Sequence, residues 1–228
     1  MAGMSSDQAP LHPLLPGLQH GLAALGLPLP QATQAQLLAY LDLLARWNRV
    51  YNLTAVRDPQ EMLTHHLLDC LSLIGPLRRH TGGAPTRVLD VGSGGGLPGV
   101  VLALVMPELD VTCVDAVAKK AAFVQQVAAQ LGLPNLHGRH ARVEQLPGQW
   151  PLITSRAFAA LPDFTAWTRE RLASEGCWVA MKGKYPADEI AALPAQVQVF
   201  HVEPLQVPSL QAERCLIWLR PAVAASAT

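Results

Sequence analysis

The sequence has no excess of charge of either sign, because 17 Lys and Arg residues balance 17 Asp and Glu residues over 228 positions. A protein that holds a nucleic acid through its overall electrostatic field is strongly basic, so this mode of binding is excluded. Any nucleic-acid partner must instead be held by a local basic patch. Half of the residues are hydrophobic, which suits one sizeable core with a smaller appended element.

Positive charge is missing from the start of the chain, where no Lys or Arg precedes Arg46. The N-terminus therefore lacks the basic region of a secretory signal peptide. No apolar run approaches the length of a membrane span. We expect a cytoplasmic protein with no membrane partner, and we expect residues 1–10 and the tail 222–228 to be flexible.

Cysteine is sparse and unclustered. The four thiols are far apart in sequence, none belongs to a C-x-x-C pair, and none has a His at metal-ligand spacing. Three of them lie in apolar runs, which predicts buried and reduced side chains. The four residues are Cys70, Cys113, Cys177 and Cys215.

A turn-rich stretch at residues 81–85 divides the chain into two parts. Before it, from Leu14 to about Leu77, apolar residues at helical spacing predict three helices. After it, short β-branched runs alternate with helix-like segments, which predicts a parallel, doubly wound α/β sheet. We thus expect a helical element at 1–80, a Rossmann-like domain at 81–221 and a tail at 222–228. The seven predicted strands are 87–91, 110–115, 135–140, 152–155, 177–182, 196–202 and 214–220.

The most informative segment is residues 90–99, which reads DVGSGGGLPG directly after an apolar run. Its five glycines let a ligand approach bare backbone and allow positive φ where the chain leaves a strand. The glycines at 94, 96 and 99 have the spacing of a dinucleotide fingerprint. Asp90 with the glycines at 92, 94 and 96 forms a second pattern.

The position of the strand favours the second pattern. Gly and Asp are poor strand formers, so the strand is expected to end near Val91. A carboxylate at Asp90 would then lie beside the turn, where it repels pyrophosphate but accepts a hydrogen bond from an ammonium group. S-adenosylmethionine has an ammonium group and no phosphate, so it is the favoured cofactor. A nicotinamide or flavin cofactor and a plain strand turn remain alternatives.

Residues at the carboxyl ends of the next strands are further candidates, since ligands of open α/β sheets bind at that edge. Asp115 can accept from both hydroxyls of a ribose, or it can cap a helix that begins near Val117. Glu144 can lie at the adenine edge while Val143 donates from its backbone. The alternative for Glu144 is a solvated loop acid.

The substrate side of the same edge is basic. Arg156 ends the fourth predicted strand and can hold the cofactor carboxylate or an RNA phosphate in bidentate fashion. Lys182 and Lys184 follow the fifth strand, so Arg156 and Lys182 are possible substrate contacts. Phe158 can stack on a base or belong to the core.

Six motifs are spread over nearly the full length of the chain: NLTAVR at 52–57, HLLD at 66–69, residues 90–99, RVE at 142–144, SRAF at 155–158 and MKG at 181–183. Together they resemble one family, the bacterial small-subunit rRNA methyltransferases called RsmG or glucose-inhibited division protein B. The LPG ending of residues 90–99 and the SRAF segment are the most specific parts of this resemblance. It departs at Gly95, where the family often has Ala or Pro, and at Gln145, where it often has a second acid.

This resemblance implies a class I methyltransferase fold behind an N-terminal helical element. It also implies transfer of a methyl group from S-adenosylmethionine to N7 of a guanine in the decoding-region (530) loop of 16S rRNA, on naked RNA or on the small ribosomal subunit. The cofactor contacts that it implies are Gly92, Leu97, Val143, Glu144 and Arg156. The analysis of the residues themselves adds Asp90, Gly94 and Asp115.

We expect no catalytic acid or base, because guanine N7 carries an in-plane lone pair and no proton. Alternatives are a methyltransferase for a small molecule and a non-catalytic RNA-binding module that S-adenosylmethionine regulates. A monomer is the default for a fold of this size. Candidate RNA contacts are Arg46, Arg49, Arg57, Arg78, Arg79, Lys119, Lys120, Arg139, Arg142, Lys182 and Lys184.

The pair His66 and Asp69, with His65 nearby, has the local spacing of a metal pair but no recognisable third ligand. We therefore expect no metal. Helix capping or packing against the glycine loop is the favoured interpretation of this pair.

Overall fold

A computed structural model describes residues 11–222, so the predicted flexible segment 1–10 and all of the predicted tail 222–228 except Ala222 lie outside the described residues. The chain before the turn-rich stretch is helical, as predicted. Its third helical region is divided by a π-helical segment, and a separate short helix follows it, which corrects the predicted number of three. The segments are α1 (Leu15–Ala24), α2 (Gln31–Tyr51), α3 (Pro59–Met62), the π-helical segment (Leu63–Leu68), α4 (Asp69–Leu71) and α5 (Ile74–Thr81).

Local signals explain where these helices end and begin. Asn52 adopts the left-handed conformation at the end of α2, which an Asn side chain tolerates. The Asp58 carboxylate accepts from the backbone N–H of Glu61, and Pro59 occupies the first turn of α3. This is the N-cap and proline arrangement that favours helix initiation.

All seven predicted strands form one sheet in the order β3-β2-β1-β4-β5-β7-β6. Six of them run in one direction, whereas β7 is antiparallel to both β5 and β6. The strands are β1 (Thr86–Val91), β2 (Leu109–Asp115), β3 (Leu136–His140), β4 (Trp150–Arg156), β5 (Leu172–Lys182), β6 (Val197–Pro204) and β7 (Cys215–Pro221).

The direction of β7 corrects the predicted all-parallel sheet. Only residues 205–214 separate β6 from β7, and they contain no helix. A parallel crossover needs a longer connection, usually with a helix, so these two strands pair antiparallel. As a result β7 begins at the edge where the other strands end, and Cys215 pairs with Lys182 at the end of β5.

Helices cover both faces of the sheet. The first core joins α1–α5, α6 and α7 to one face, with Tyr40 and Phe123 fully buried in it. The second core lies on the other face under α8 and α9, with Phe164 and Trp178 at its centre. The remaining helices are α6 (Gly99–Val105), α7 (Ala118–Leu131), α8 (Leu161–Thr168) and α9 (Ala187–Ala191), with 3-10 turns at Val143–Gln145 and Arg169–Arg171.

The N-terminal helices share their core with the sheet and also support the glycine loop. The Tyr40 hydroxyl of α2 donates to the backbone carbonyl of Gly95 at 2.6 Å in a buried environment. A domain boundary near residue 81 stays a prediction. The helical element nevertheless contributes directly to the edge where the strands end.

Candidate cofactor and substrate site

The glycine loop joins the end of β1 to the start of α6. As predicted, β1 ends at Val91, and α6 begins at Gly99. Gly92 has a φ of +67° and lies against the Phe158 ring, which overlaps the position that a Cβ atom would take. Only glycine fits both the backbone conformation and this contact.

Asp90 lies under the loop and is fully buried. Its Oδ2 accepts from the Gly99 backbone N–H at 2.9 Å, and the Cys113 thiol lies 3.8 Å away. Its Oδ1 has no hydrogen-bond partner within residues 11–222. Burial raises the pKa of Asp90 to about 7, and the bond from Gly99 opposes this increase.

Asp115 at the end of β2 connects the loop to α7. Its Oδ2 accepts from the Gly94 N–H at 3.0 Å, and its Oδ1 accepts from the Val117 N–H at 2.9 Å. The Lys120 ammonium lies 3.8 Å from Oδ2. The bond from Val117 closes a local turn before α7, whose N-cap is Val117 itself with no side-chain cap, so the capping interpretation of Asp115 is wrong. The contact with ribose stays a prediction.

A cleft of about 400 Å³ opens beside the loop. Four of the predicted cofactor residues line it: Gly92, Asp115, Val143 and Glu144. The cleft therefore combines bare backbone, two carboxylates and apolar walls at one strand edge. The other lining residues are Val91, Val114, Ala116, Lys120, Ala141, Arg142, Ala157, Phe158 and Trp167.

The other predicted cofactor residues lie around the cleft without lining it. Asp90 is beneath the loop, Gly94 is bonded to Asp115, and Leu97 is buried in the first core. Arg156 points toward the N-terminal helices, where its Nη1 donates to the His65 carbonyl at 2.8 Å. Their contacts with cofactor stay predictions.

Asp69 is the main partner of Arg156. Its Oδ2 accepts from Arg156 Nη1 at 2.9 Å, and its Oδ1 accepts from Arg214 Nε at 2.8 Å. Asp69 therefore does not cap a helix, whereas its packing on the glycine loop stays a prediction. This carboxylate joins α4 to the end of β4 and to the residue just before β7.

His66 makes a polar contact of a different kind. Its Nε2 lies 2.7 Å from Thr54 Oγ1, and its Nδ1 lies 3.5 Å from Arg156 Nη2. Burial, helped by the Arg156 charge, lowers the pKa of His66 to about 4, so the imidazole is neutral at pH 7. Because a guanidinium only donates, Nδ1 faces it as an acceptor and Nε2 donates to Thr54.

Lys182 connects the segments that follow β4 and β5. Its ammonium donates to the Ala159 carbonyl at 2.9 Å and to Glu189 Oε2 at 2.7 Å. The same Glu189 oxygen accepts from the Leu161 N–H at 2.7 Å. The charge of Lys182 is therefore compensated, whereas Lys184 is exposed on the adjoining segment.

Sequence reasoning missed two residues of this region. Trp167 is 43% exposed, lines the cleft and makes an edge-to-face contact with Phe158 at 5.7 Å between ring centroids. Its position on α8 carried no motif that could have revealed it. Arg214 was overlooked because a parallel β7 would place it at the opposite edge of the sheet.

Metal ligands and membrane spans were also sought in the described part of the chain. Within residues 11–222, no three His, Cys, Asp or Glu side chains are grouped so that they could hold a metal ion. The same part of the chain contains no helix with the length and apolar character needed to cross a membrane. All four cysteines are free and buried, as predicted.

The strand order, the glycine loop after β1 and the acid that ends β2 define a class I S-adenosylmethionine-dependent methyltransferase. The N-methyltransferase NodS from Bradyrhizobium japonicum, solved with S-adenosyl-L-homocysteine, shows the same fold. It is 15% identical with a TM-score of 0.55, and the match covers 81% of this chain and 99% of NodS.

Sequence comparison assigns the family. A family model described as rRNA small subunit methyltransferase G matches residues 33–217. A protein with that name from Acidovorax ebreus is 66% identical over 90% of this chain and 94% of its own length. One from Leptothrix cholodnii is 60% identical over 90% and 95%. The chain belongs to the rRNA small subunit methyltransferase G family, also called GidB.

The residues present fit S-adenosylmethionine, which is the cofactor of this methyltransferase class. The backbone at Gly92 is open to the cleft, and two carboxylates, Asp115 and Glu144, suit the hydroxyl and amino groups of an adenosine. Oδ1 of Asp90, which has no hydrogen-bond partner within residues 11–222, lies buried beneath the loop. The dinucleotide alternative is thereby set aside.

Proposed function

We propose that this chain transfers a methyl group from S-adenosylmethionine to N7 of a guanine in the 530 loop of 16S rRNA. The observation that carries the proposal is the division of charge along one sheet edge. Asp115 ends β2 and Glu144 follows β3, whereas Arg156 ends β4 and the exposed Lys184 follows β5. Such an edge suits a cationic cofactor beside an anionic substrate, and the names of the relatives point to small-subunit rRNA.

Eight residues are proposed to hold the cofactor. Asp115 accepts from the ribose hydroxyls, and Glu144 with the Val143 backbone binds the adenine edge. Gly92 and Gly94 permit close approach, and Leu97 packs behind them. Asp90 balances the ammonium charge electrostatically through the loop, and Arg156 supplies a guanidinium at the methionine end.

Methyl transfer to N7 needs little acid or base chemistry from the protein. When bound, the cofactor supplies a methyl group on a positively charged sulfur. Guanine N7 has no proton to lose, so the chain contributes orientation and an environment that tolerates the migrating positive charge. Phe158 and Trp167 form an aromatic wall beside Gly92 that suits a flat base.

A single-stranded or bulged RNA loop is the expected target, because its bases can turn outward into a cleft. Lys182 then contributes indirectly, since its bonds to Ala159 and Glu189 hold the segment that carries Phe158. We propose that the chain acts as a monomer. Analytical ultracentrifugation with and without RNA checks this point.

The experiment that tests the proposal supplies the purified chain with methyl-labelled S-adenosylmethionine. Small subunits and naked 16S rRNA, both from cells that lack this modification, are compared as substrates. We expect label at N7 of one guanine in the 530 loop. Label on another base or atom corrects the target, and label in neither RNA overturns the proposal in favour of a small-molecule substrate or a non-catalytic module.

A further inference from the structure

One buried carboxylate holds two arginine side chains that come from different strands. Asp69 of α4 is only 2% exposed, and it contacts Arg156 after β4 and Arg214 before β7 at 2.9 and 2.8 Å. One negative charge faces two positive charges, so the cluster retains one uncompensated positive charge. We call these three residues the Asp69 cluster.

The two guanidinium groups leave different donors free. Arg156 uses both terminal nitrogens, since Nη1 donates to the His65 carbonyl and to Asp69 and Nη2 faces His66, so that only its inner Nε has no partner in the described part of the chain. Arg214 uses Nε for Asp69 and Nη1 for the Glu213 carbonyl. Its Nη2 has no partner in the described part of the chain, and its side chain is 22% exposed.

The position of Arg214 follows from the direction of β7. Because Cys215 pairs with Lys182, Arg214 stands at the carboxyl edge beside the end of β5. Arg156 ends β4, the next strand along. Lys182 between them is compensated by Glu189. In the described part of the chain, Arg214 is therefore the member of this row whose terminal Nη2 is free, whereas both terminal nitrogens of Arg156 face the N-terminal helices.

We propose that Asp69 is a positioning residue that orients Arg214 so that its free guanidinium edge contacts a phosphate of the RNA substrate. This inference rests on the proposed function and deepens it. The free Nη2 can donate a charge-assisted hydrogen bond to a phosphate oxygen, and a side chain that is already fixed loses little entropy when it binds. Arg156, held by the same carboxylate, stays near the cofactor cleft.

A purely structural role for the Asp69 cluster makes a different prediction. Buried ion pairs often add little net stability over apolar residues of the same size. If the cluster only holds the fold together, substitutions in it would change thermal stability and leave the KM for RNA unchanged. The Michaelis constant for RNA therefore distinguishes a positioning role from a clamp.

The first test compares Arg214→Gln and Arg214→Lys with Arg220→Gln. Arg220 is a matched control because it is an exposed arginine at the other end of β7. We expect Arg214→Gln to raise KM for small-subunit RNA about tenfold, and to lower the slope of log binding against log salt by about 0.7. The kcat and the cofactor Kd of Arg214→Gln should not change. The KM of Arg214→Lys for RNA should lie between those of the wild type and Arg214→Gln, and the KM of Arg220→Gln should match that of the wild type.

The second test replaces the carboxylate by Asp69→Asn, alone and combined with Arg214→Gln. We expect Asp69→Asn to raise KM for RNA, and the double variant to show less than the product of the two single effects, because Asp69 acts through Arg214. If Asp69→Asn does not fold, the KM of Arg214→Gln for RNA alone decides whether Arg214 contacts the RNA.

Other outcomes overturn the inference. Arg214→Gln with an altered melting temperature but unchanged KM would show a clamp, and a raised cofactor Kd would move the contact to the cofactor. Independent effects in the double variant would remove the positioning role of Asp69. If the wild-type protein methylates no RNA, the proposed function itself is rejected. If the wild-type protein methylates RNA and the variants have the same KM for RNA, only the proposed role of the Asp69 cluster in RNA binding is rejected.

Discussion

Arg156 has two possible tasks, and a single substitution separates them. Arg156→Ala removes the guanidinium that the family resemblance assigns to the cofactor. We expect the Kd for S-adenosylmethionine to rise about tenfold, as for loss of a charge-assisted hydrogen bond. Isothermal titration of the RNA-free protein measures this.

Arg156→Lys is the matched variant, because it keeps the charge and loses the fork geometry. It should recover part of the cofactor affinity. Unchanged cofactor binding by Arg156→Ala together with lost RNA methylation would reassign Arg156 to the substrate.

Asp90 makes stability depend on pH. Its pKa is raised from the ordinary value of 3.8 to about 7 by burial. The folded state therefore favours the protonated acid, so this contribution to stability is present below pH 3.8 and is lost as pH rises through 7. Asn cannot ionise, so Asp90→Asn should remove the destabilisation that follows ionisation of the buried carboxyl at high pH. The free energy of unfolding at pH 8 should then exceed that of the wild type by on the order of 2 kcal/mol.

Chemical denaturation of both proteins at pH 5 and pH 8 checks the Asp90 prediction. His66 changes stability in the opposite sense, since its pKa is lowered from 6.5 to about 4 and its contribution is lost as pH falls through that window. Because both proteins contain His66, the difference between them isolates Asp90. An equal difference at both pH values would contradict the prediction.

The sequence was sufficient to predict which residues line the cleft, but it did not predict the contact between Asp69 and Arg214. Gly92, Asp115, Val143 and Glu144 come together because each follows a strand of the parallel part of the sheet. The Asp69 contact with Arg214 spans 145 positions. It depends on the packing of α4 against the sheet edge, which no local pattern encodes.

At the scale of elements, α2 supports the loop through one buried hydroxyl. Tyr40→Phe leaves the Gly95 carbonyl without its partner in a buried place. We expect the free energy of unfolding to fall by about 1–3 kcal/mol, since unsatisfied buried polar groups cost that much. Cofactor affinity should also fall as the loop loosens.

Tyr51→Phe is the control for this change. Tyr51 lies at the end of the same helix, is 39% exposed and packs against Trp47. Urea unfolding of the two variants should show a loss for Tyr40→Phe alone. Equal effects would mean that the Gly95 contact does not support the loop.

The helices and strands also show which structural features a local sequence pattern can predict and which it cannot. Every predicted strand is present, because alternation of apolar runs with turn residues is a local property. The predicted direction of β7 was wrong, because the direction depends on whether the segment between β6 and β7 forms a helix. The π-helical segment at Leu63–Leu68 was likewise unforeseen, since hydrophobic spacing does not distinguish it from an α-helix.

At the scale of the whole molecule, the balanced charge gives the protein no general attraction for RNA. Binding must come from a few local phosphate contacts. We expect the affinity for 16S rRNA to fall with salt at a slope of about 0.7 for each phosphate contact to a single strand. Filter binding from low to physiological salt measures it, and a flat response would favour a small-molecule substrate.

The place of β7 has a consequence for how the protein is made. Within residues 11–222, β7 is the last strand in sequence, yet it lies between β5 and β6 and pairs with both. During synthesis β6 emerges before β7, its neighbour in the described sheet, and Arg214 follows Asp69 by 145 positions. Domains fold as units as they leave the ribosome. The sheet edge that carries Arg156 and Arg214 is thus complete only after Arg214 has been synthesised.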